Sequence, residues 1–242
     1  MSREVCVLLS GGLDSSVLVA SYLERGMKVR PVYVECGFRW ERREKAGVRA
    51  FLGVLRRGRI SPSGAPGAAG SASGRRPGAG RGGALLPIKV LHFDQRDLYP
   101  PRHWALSGPV PSARARWDSV ELRGRNMLLL SKAAAALSGP RGAVLALATL
   151  KGNPFPDATP AFFKAAAKAL TLGLGIPIRV ETPFLGTSKE RLVRLWARLP
   201  LGLTFSCLRP SRGLHCGLCT KCFERRRAFR KAGVPDPTRY AA

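Results

Sequence analysis

Apolar residues along this chain fall into short β-type runs separated by longer amphipathic stretches, and that alternation predicts an α/β domain. Val5, Val7, Leu8 and Leu9 form a run of the kind a parallel strand shows when both of its faces are covered. Ser10, Gly11 and Gly12 break it. A helix carrying Val17, Leu18 and Leu23 follows, with Asp14, Ser15 and Ser16 suited to cap it. Residues 29–34 read as a second strand, and 41–55 as a helix with Arg, Glu and Lys outward and Ala46, Val48, Phe51 and Leu52 inward. Strand character returns at 87–93, 143–148 and 178–181; helices are expected at 127–137 and 160–172, and one more starts at Ser188, Lys189 and Glu190. Five such strands alternating with helices predict a doubly wound, mainly parallel five-stranded sheet.

The pattern lapses in two places. From 56 to 83 the chain has almost nothing to bury, so a low-complexity insertion at 56–86, disordered or looped out, is expected, with a polyanion-binding arm as the functional alternative. Residues 95–120 are irregular and proline-containing, and they carry His103, Trp104 and Trp117, which suits a loop that shapes a pocket. His92 and Asp94 stand at the end of the third strand, where a solvated contact is favoured over a catalytic pair. The chain therefore divides into a catalytic domain at 1–200, interrupted by the insertion, and a C-terminal extension at 201–242.

Composition changes this picture little. Lys and Arg number 41 against 15 Asp and Glu, a formal charge of +26, which points towards a polyanion such as tRNA. Most of the excess is Arg in a chain rich in Gly, Ala and Pro, as a GC-biased coding sequence would give, and Arg is interleaved with aromatics only around Arg39–Trp40 and at 225–230. Nucleic-acid binding is thus the lesser reading. No run of about 18 apolar residues is free of charge or proline, and Met1 leads directly into the first strand, so a cytoplasmic protein without a membrane span is expected. In that setting Cys207, Cys216, Cys219 and Cys222, spaced C-x8-C-x2-C-x2-C, favour one structural zinc over disulfides, with no open position for an activating water.

The candidate chemistry starts at the first turn. Strand, SGGLDS, helix is an anion-binding arrangement: glycines let the backbone approach, and free helix N–H groups face the ligand. No Lys follows the glycines, so this is not the loop that holds the β and γ phosphates of P-loop NTPases. It resembles the PP-loop of the N-type ATP pyrophosphatases, which split ATP between the α and β phosphates. That resemblance implies an adenine nucleotide hydrolase-like fold and ATP with Mg2+. It makes Leu9, Ser10, Gly11, Gly12, Leu13, Asp14, Ser15 and Ser16 the nucleotide loop, and it offers the turn at Cys36 as an adenine or ribose contact, unless Cys36 is simply a small core residue. Arg125 and Asn126 open a helix where they meet an anion or a sugar hydroxyl, or merely cap it. Asp157, beyond the fourth strand, can accept two parallel hydrogen bonds from a guanine-like edge, with Phe155 beside it. Lys189 neutralises the α phosphate during adenylation or is a surface lysine. Asp14, Lys189 and Arg125 are the catalytic candidates.

Taken together, LLSGGLDSS, GRNMLLLSKAAA, TPFLGTSKERLVRL and the cysteine-rich end CGLCTKCFERRRAF resemble the 7-cyano-7-deazaguanine synthase family of queuosine biosynthesis over nearly the whole chain except the insertion. The resemblance implies adenylation of the carboxylate of 7-carboxy-7-deazaguanine, displacement of AMP by ammonia to give an amide, and a second activation to the nitrile; it also implies a homodimer. The family's substrate segment reads approximately G-x-N-x-x-D followed by Tyr-Pro-Asp-Cys-Arg, whereas this chain has Ala146, Ala148 and Lys151, then Phe155, Pro156, Asp157, Ala158 and Thr159. A divergent relative with another carboxylate acceptor or one that transfers a deazaguanine, and a tRNA-modifying PP-loop enzyme, are the alternatives.

Overall fold

The computed structural model describes residues 4–58 and 83–242; most of the expected insertion lies outside them. Five strands form one sheet in the order β3-β2-β1-β4-β5. They are β1 (Glu4–Leu8), β2 (Lys28–Glu35), β3 (Lys89–His92), β4 (Ala143–Ala146) and β5 (Ile178–Glu181), and every pairing is parallel, with Val5 opposite Val29, Cys6 opposite Leu145 and Leu145 opposite Val180. Helices α1 (Leu13–Glu24), α2 (Glu41–Arg56), α3 (Arg125–Leu137), α4 (Pro160–Leu174), α5 (Lys189–Leu195) and α6 (Thr220–Ala232) complete the regular structure. The doubly wound sheet expected from the apolar runs is therefore present, and it is wholly parallel.

Side-chain alternation along β1 assigns the two faces. Val5, Val7 and Leu9 pack with Leu18, Val19 and Tyr22 of α1 and with Val48 and Leu52 of α2. Cys6 and Leu8 point the other way, onto Leu130, Ala133 and Ala134 of α3 and Phe163 of α4. Since β1 is followed on one side by β2 and β3 and on the other by β4, strand order reverses between β1 and β4, and a crevice opens at their carboxyl ends. Ser10 and Leu147 lie at those ends.

The extension is docked against this crevice. The Phe205 N–H donates to Gly11 O at 2.7 Å, and α6 packs Ala228, Phe229 and Ala232 against Leu192 and Val193 of α5. No helix among the described residues is long and apolar enough to cross a membrane.

Two local expectations are corrected, and a third, that His92 and Asp94 make solvated contacts rather than a catalytic pair, holds. The N-cap of α1 is Gly12, with no side-chain cap, because Asp14, Ser15 and Ser16 lie inside the first turn. Glu44 does not face solvent with the other charged residues of α2: it follows the apolar stripe of Val48 and Phe51 at helical spacing and accepts a hydrogen bond from Tyr33 Oη at 3.0 Å. His92 Nδ1 meets Glu35 Oε2 at 2.6 Å, while Asp94 is clasped by Arg96, so His92 and Asp94 form no pair.

Candidate active site and cysteine knot

The turn between β1 and α1 is held by its own serines. Ser10 N–H donates to Ser15 Oγ at 3.2 Å, Gly12 N–H donates to Ser10 Oγ at 3.3 Å, and Ser15 Oγ donates to Gly12 O at 3.3 Å. Gly11 carries the left-handed step, φ 78°; a Cβ there would lie 2.9 Å from Val48 Cγ2 and 3.0 Å from Glu44 O. With no side-chain cap on α1, the N–H groups of Leu13, Asp14 and Ser15 have no intrahelical acceptor and remain donors for an anion.

Two cavities meet at this turn. The first, about 220 Å³, is lined by Leu8, Val32, Val34 and Leu147 on its apolar side and by Ser10, Gly12, Ser15, Glu44, Arg125 and Asn126 on its polar side. Arg125 reaches it from the start of α3, its guanidinium 5.9 Å from the centroid of Phe38, and its Nε has no hydrogen-bond partner among the described residues. Burial pushes the Glu44 carboxyl up to about 8, opposed by the charge of Arg125 and the hydrogen bond from Tyr33. At neutral pH Glu44 thus offers this cavity a carboxylic acid O–H rather than a charge.

The second cavity, about 490 Å³, shares Asp14, Ala148 and Asn153 with the first and adds Phe155 and the cations Arg116, Lys151, Lys189, Lys221 and Arg227. Lys189 Nζ lies 3.3 Å from Asp14 Oδ2 and 2.6 Å from Glu224 Oε1. Burial alone lowers the Lys189 ammonium, but the two carboxylates more than offset it and hold it above its ordinary value. Burial likewise raises the Asp14 carboxyl, with Lys189 opposing. Asp14 Oδ1 has no partner among the described residues, an orphan acceptor at the mouth of the loop.

The sequence candidates are thus gathered unevenly. Leu9, Ser10, Gly12, Asp14, Ser15, Arg125 and Asn126 line the first cavity, and Lys189 and Phe155 the second. Leu13 packs instead with Val17, Phe51 and Phe229, and Ser16 is buried beneath the turn. Cys36 lines neither cavity: its side chain is buried with Phe38, Trp40 and Val120, its N–H donates to Glu41 Oε1 at 2.6 Å, and burial pushes the thiol up to about 12. Asp157 accepts the Asn126 N–H at 2.8 Å through Oδ2, and its carbonyl accepts Asn126 Nδ2 at 2.9 Å. The carboxylate therefore supports the first turn of α3 and so the placement of Arg125. Sequence reasoning missed Tyr33, Glu44, Lys221 and Glu224. Only Glu44 carried a local signal, four residues before Val48 and seven before Phe51 on the inward stripe.

The four expected cysteines converge. The sulfurs of Cys207, Cys216, Cys219 and Cys222 are buried and all lie within 4.8 Å of one another, with Cys219 to Cys222 at 3.5 Å and Cys216 to Cys222 at 3.9 Å. A tetrahedron with metal–sulfur bonds of about 2.3 Å has edges near ~3.8 Å. Backbone N–H groups aim at the sulfurs: Cys216 N–H at Cys207 Sγ, 3.2 Å, and those of Leu218 and Cys219 at Cys216 Sγ, 3.4 Å each. Such donors favour thiolates, so the set fits one metal ion. His215 stays outside it. Burial pushes its imidazole down to about 4, and its Nε2 accepts the Ser206 N–H at 3.3 Å.

A parallel sheet of this order, with a Ser-Gly-Gly-Leu-Asp-Ser turn at its switch point and a four-cysteine extension, defines a PP-loop protein of the adenine nucleotide hydrolase-like fold. The comparisons narrow the class. The model of "Queuosine biosynthesis protein QueC" matches residues 110–233. The chain is 33% identical over 253 residues to the 7-cyano-7-deazaguanine synthase of Anaeromyxobacter dehalogenans, covering 99% of this chain and 97% of that one. It is 31% identical over 247 residues to the synthase of Methanothrix thermoacetophila, covering 99% of each. The chain belongs to the QueC family.

Proposed function

We propose that this protein is an ATP-dependent carbon–nitrogen ligase that adenylates the carboxylate of 7-carboxy-7-deazaguanine and, with ammonia, converts it to 7-cyano-7-deazaguanine. One observation carries the reading: the likeness to the synthases runs through the whole chain, and the phosphate-binding turn opens directly on Arg125, Asn126 and Lys189. The free N–H groups of the α1 first turn hold the departing pyrophosphate. The acceptor carboxylate attacks the α phosphorus, breaking its bond to the β-phosphate oxygen, and charge growing there is met by the Lys189 ammonium beside Asp14, with Arg125 in the wall of the adjoining cavity. Ammonia then displaces AMP, giving the amide and releasing a proton; a second ATP adenylates the amide oxygen, which leaves with AMP as the amide nitrogen gives up its protons and the nitrile forms. Mg2+ would neutralise the polyphosphate alongside Asp14. Zinc on the four thiols would pin the extension and take no part in the chemistry.

A second acceptor is favoured by one feature. The segment at 146–159 departs from the family's substrate pattern, and its surviving Asp157 is engaged by Asn126. The test is pyrophosphate and AMP release with ATP, ammonia and 7-carboxy-7-deazaguanine, with mass spectrometry of the product. The nitrile is expected. AMP formed only with some other carboxylate would overturn the assigned acceptor and leave the adenylation.

A further inference from the structure

The cysteine knot and the phosphate loop are joined by one short ionic chain. Glu224 lies two residues after Cys222 on α6, the helix whose N-cap is Cys219. Its Oε1 accepts Lys189 Nζ at 2.6 Å, and its Oε2 accepts Lys221 Nζ at 2.8 Å. Lys189, the first residue of α5, continues to Asp14 Oδ2 in the first turn of α1, 3.3 Å away. The thiol cluster stands at one end of this chain and the pyrophosphate-binding turn at the other. Both lysines face the second cavity.

A free lysine samples many rotamers and presents its ammonium to a phosphate only part of the time; a carboxylate on each side removes that freedom before the ligand arrives. Helix docking does not need the pair. Leu192, Val193, Ala228 and Phe229 already pack α5 on α6, and Arg194 Nε donates to Ala232 O at 3.2 Å. The Lys189 side chain keeps 21% of its surface exposed and that of Glu224 42%, and an ion pair that water still reaches on the carboxylate side adds little to stability. Its observable consequence is where Lys189 Nζ sits.

We propose that Glu224 is a positioning residue: it transmits the placement of α6, fixed by the cysteine knot, to Lys189, and so sets the ammonium at the mouth of the 10–15 turn. The proposal rests on the adenylation reading above.

The experiment compares wild type, Glu224→Gln and Glu224→Asp. For Glu224→Gln, kcat for AMP formation falls about tenfold or more, KM for ATP moves less than about threefold, and bound metal and thermal midpoint match wild type. Glu224→Asp, which keeps the charge on a shorter stem, recovers part of kcat. Independently of turnover, nitrogen-15 NMR of the lysine ammonium groups shows an ordered Lys189 signal in wild type, identified by its absence in Lys189→Met, and that signal is lost in Glu224→Gln. The proposal is overturned if Glu224→Gln keeps the ordered signal or a kcat within twofold of wild type. It is equally overturned if lost kcat comes with lost metal or a lowered midpoint, or if Glu224→Asp is no better than Glu224→Gln. A wild type with the ordered signal but no AMP formation with any carboxylate refutes the activity, whereas a variant that keeps the signal refutes the positioning.

Discussion

At Glu44 the chain places a carboxyl in the wall of the first cavity, where Tyr33 Oη and the charge of Arg125 offset only part of its desolvation. Its folded value of about 8 lies above the ordinary 4.5, so between those two pH values the unfolded chain has released a proton that the native protein retains. The contribution of Glu44 to stability therefore falls as pH rises from 4.5 to about 8 and is level above that. Glu44→Gln keeps an acceptor for Tyr33 and removes the titration. Its unfolding free energy should match wild type below the window and exceed it above by roughly 1–4 kcal/mol. Denaturant unfolding at pH 4.5 and pH 9 checks this, and a variant destabilised equally at both would refute the buried-acid assignment. Residues of this kind were the hardest to read in the sequence. Ser10, Gly11, Gly12 and Asp14 declare themselves through strand-turn-helix order, because their role is local. Glu44 and Glu224 act on partners that only folding brings near, Tyr33 and Lys189; the inward stripe shows that Glu44 is turned towards the core but not what it meets, and Glu224 has no such mark.

Among the elements, α6 has the most sharply defined support. Its N-cap is one cysteine of the knot and its first turn contains another, so the helix begins where the thiols converge. Cys219→Ser should lose the metal ion that the four thiols are proposed to hold and lower Tm by about 5–10 °C. Metal analysis beside a thermal melt reads both, and a metal-free variant with the wild-type midpoint would remove the structural role. The knot was legible because C-x8-C-x2-C-x2-C has metal-ligand spacing whatever the fold. The first turn of α3 was legible only in part. Its start was visible, but the placement of Arg125 depends on Asp157, 31 residues past Asn126, and no periodicity connects the two. The reading of Asp157 as a guanine-edge acceptor followed from its place beyond β4. The structure adds a nearer partner for the same carboxylate.

For the whole molecule, the order of strands decides where chemistry can occur. The sheet reverses between β1 and β4, so the turn after β1, the start of α3 and the start of α5 converge on one crevice, while the extension closes it through Phe205 and α6. The apolar runs predicted the five strands most clearly at the centre, where β1 and β4 are buried on both faces and need continuous hydrophobicity; the edge strands β3 and β5 are largely open to solvent on one side and keep only a shorter apolar signal. The meeting of the extension with the loop was invisible, because it rests on partners about 200 residues apart in the chain that only folding brings together, such as Phe205 N–H to Gly11 O and Leu13 against Phe229.

The central claim is that this crevice joins a carboxylate to the α phosphorus of ATP, and oxygen tracing reads that bond directly. With oxygen-18 in the carboxylate of 7-carboxy-7-deazaguanine, attack by the labelled oxygen and displacement by ammonia leave one labelled oxygen in AMP for each amide formed, and pyrophosphate stays unlabelled. Labelled AMP is the predicted result. Unlabelled AMP, or ADP and phosphate in its place, would contradict the account.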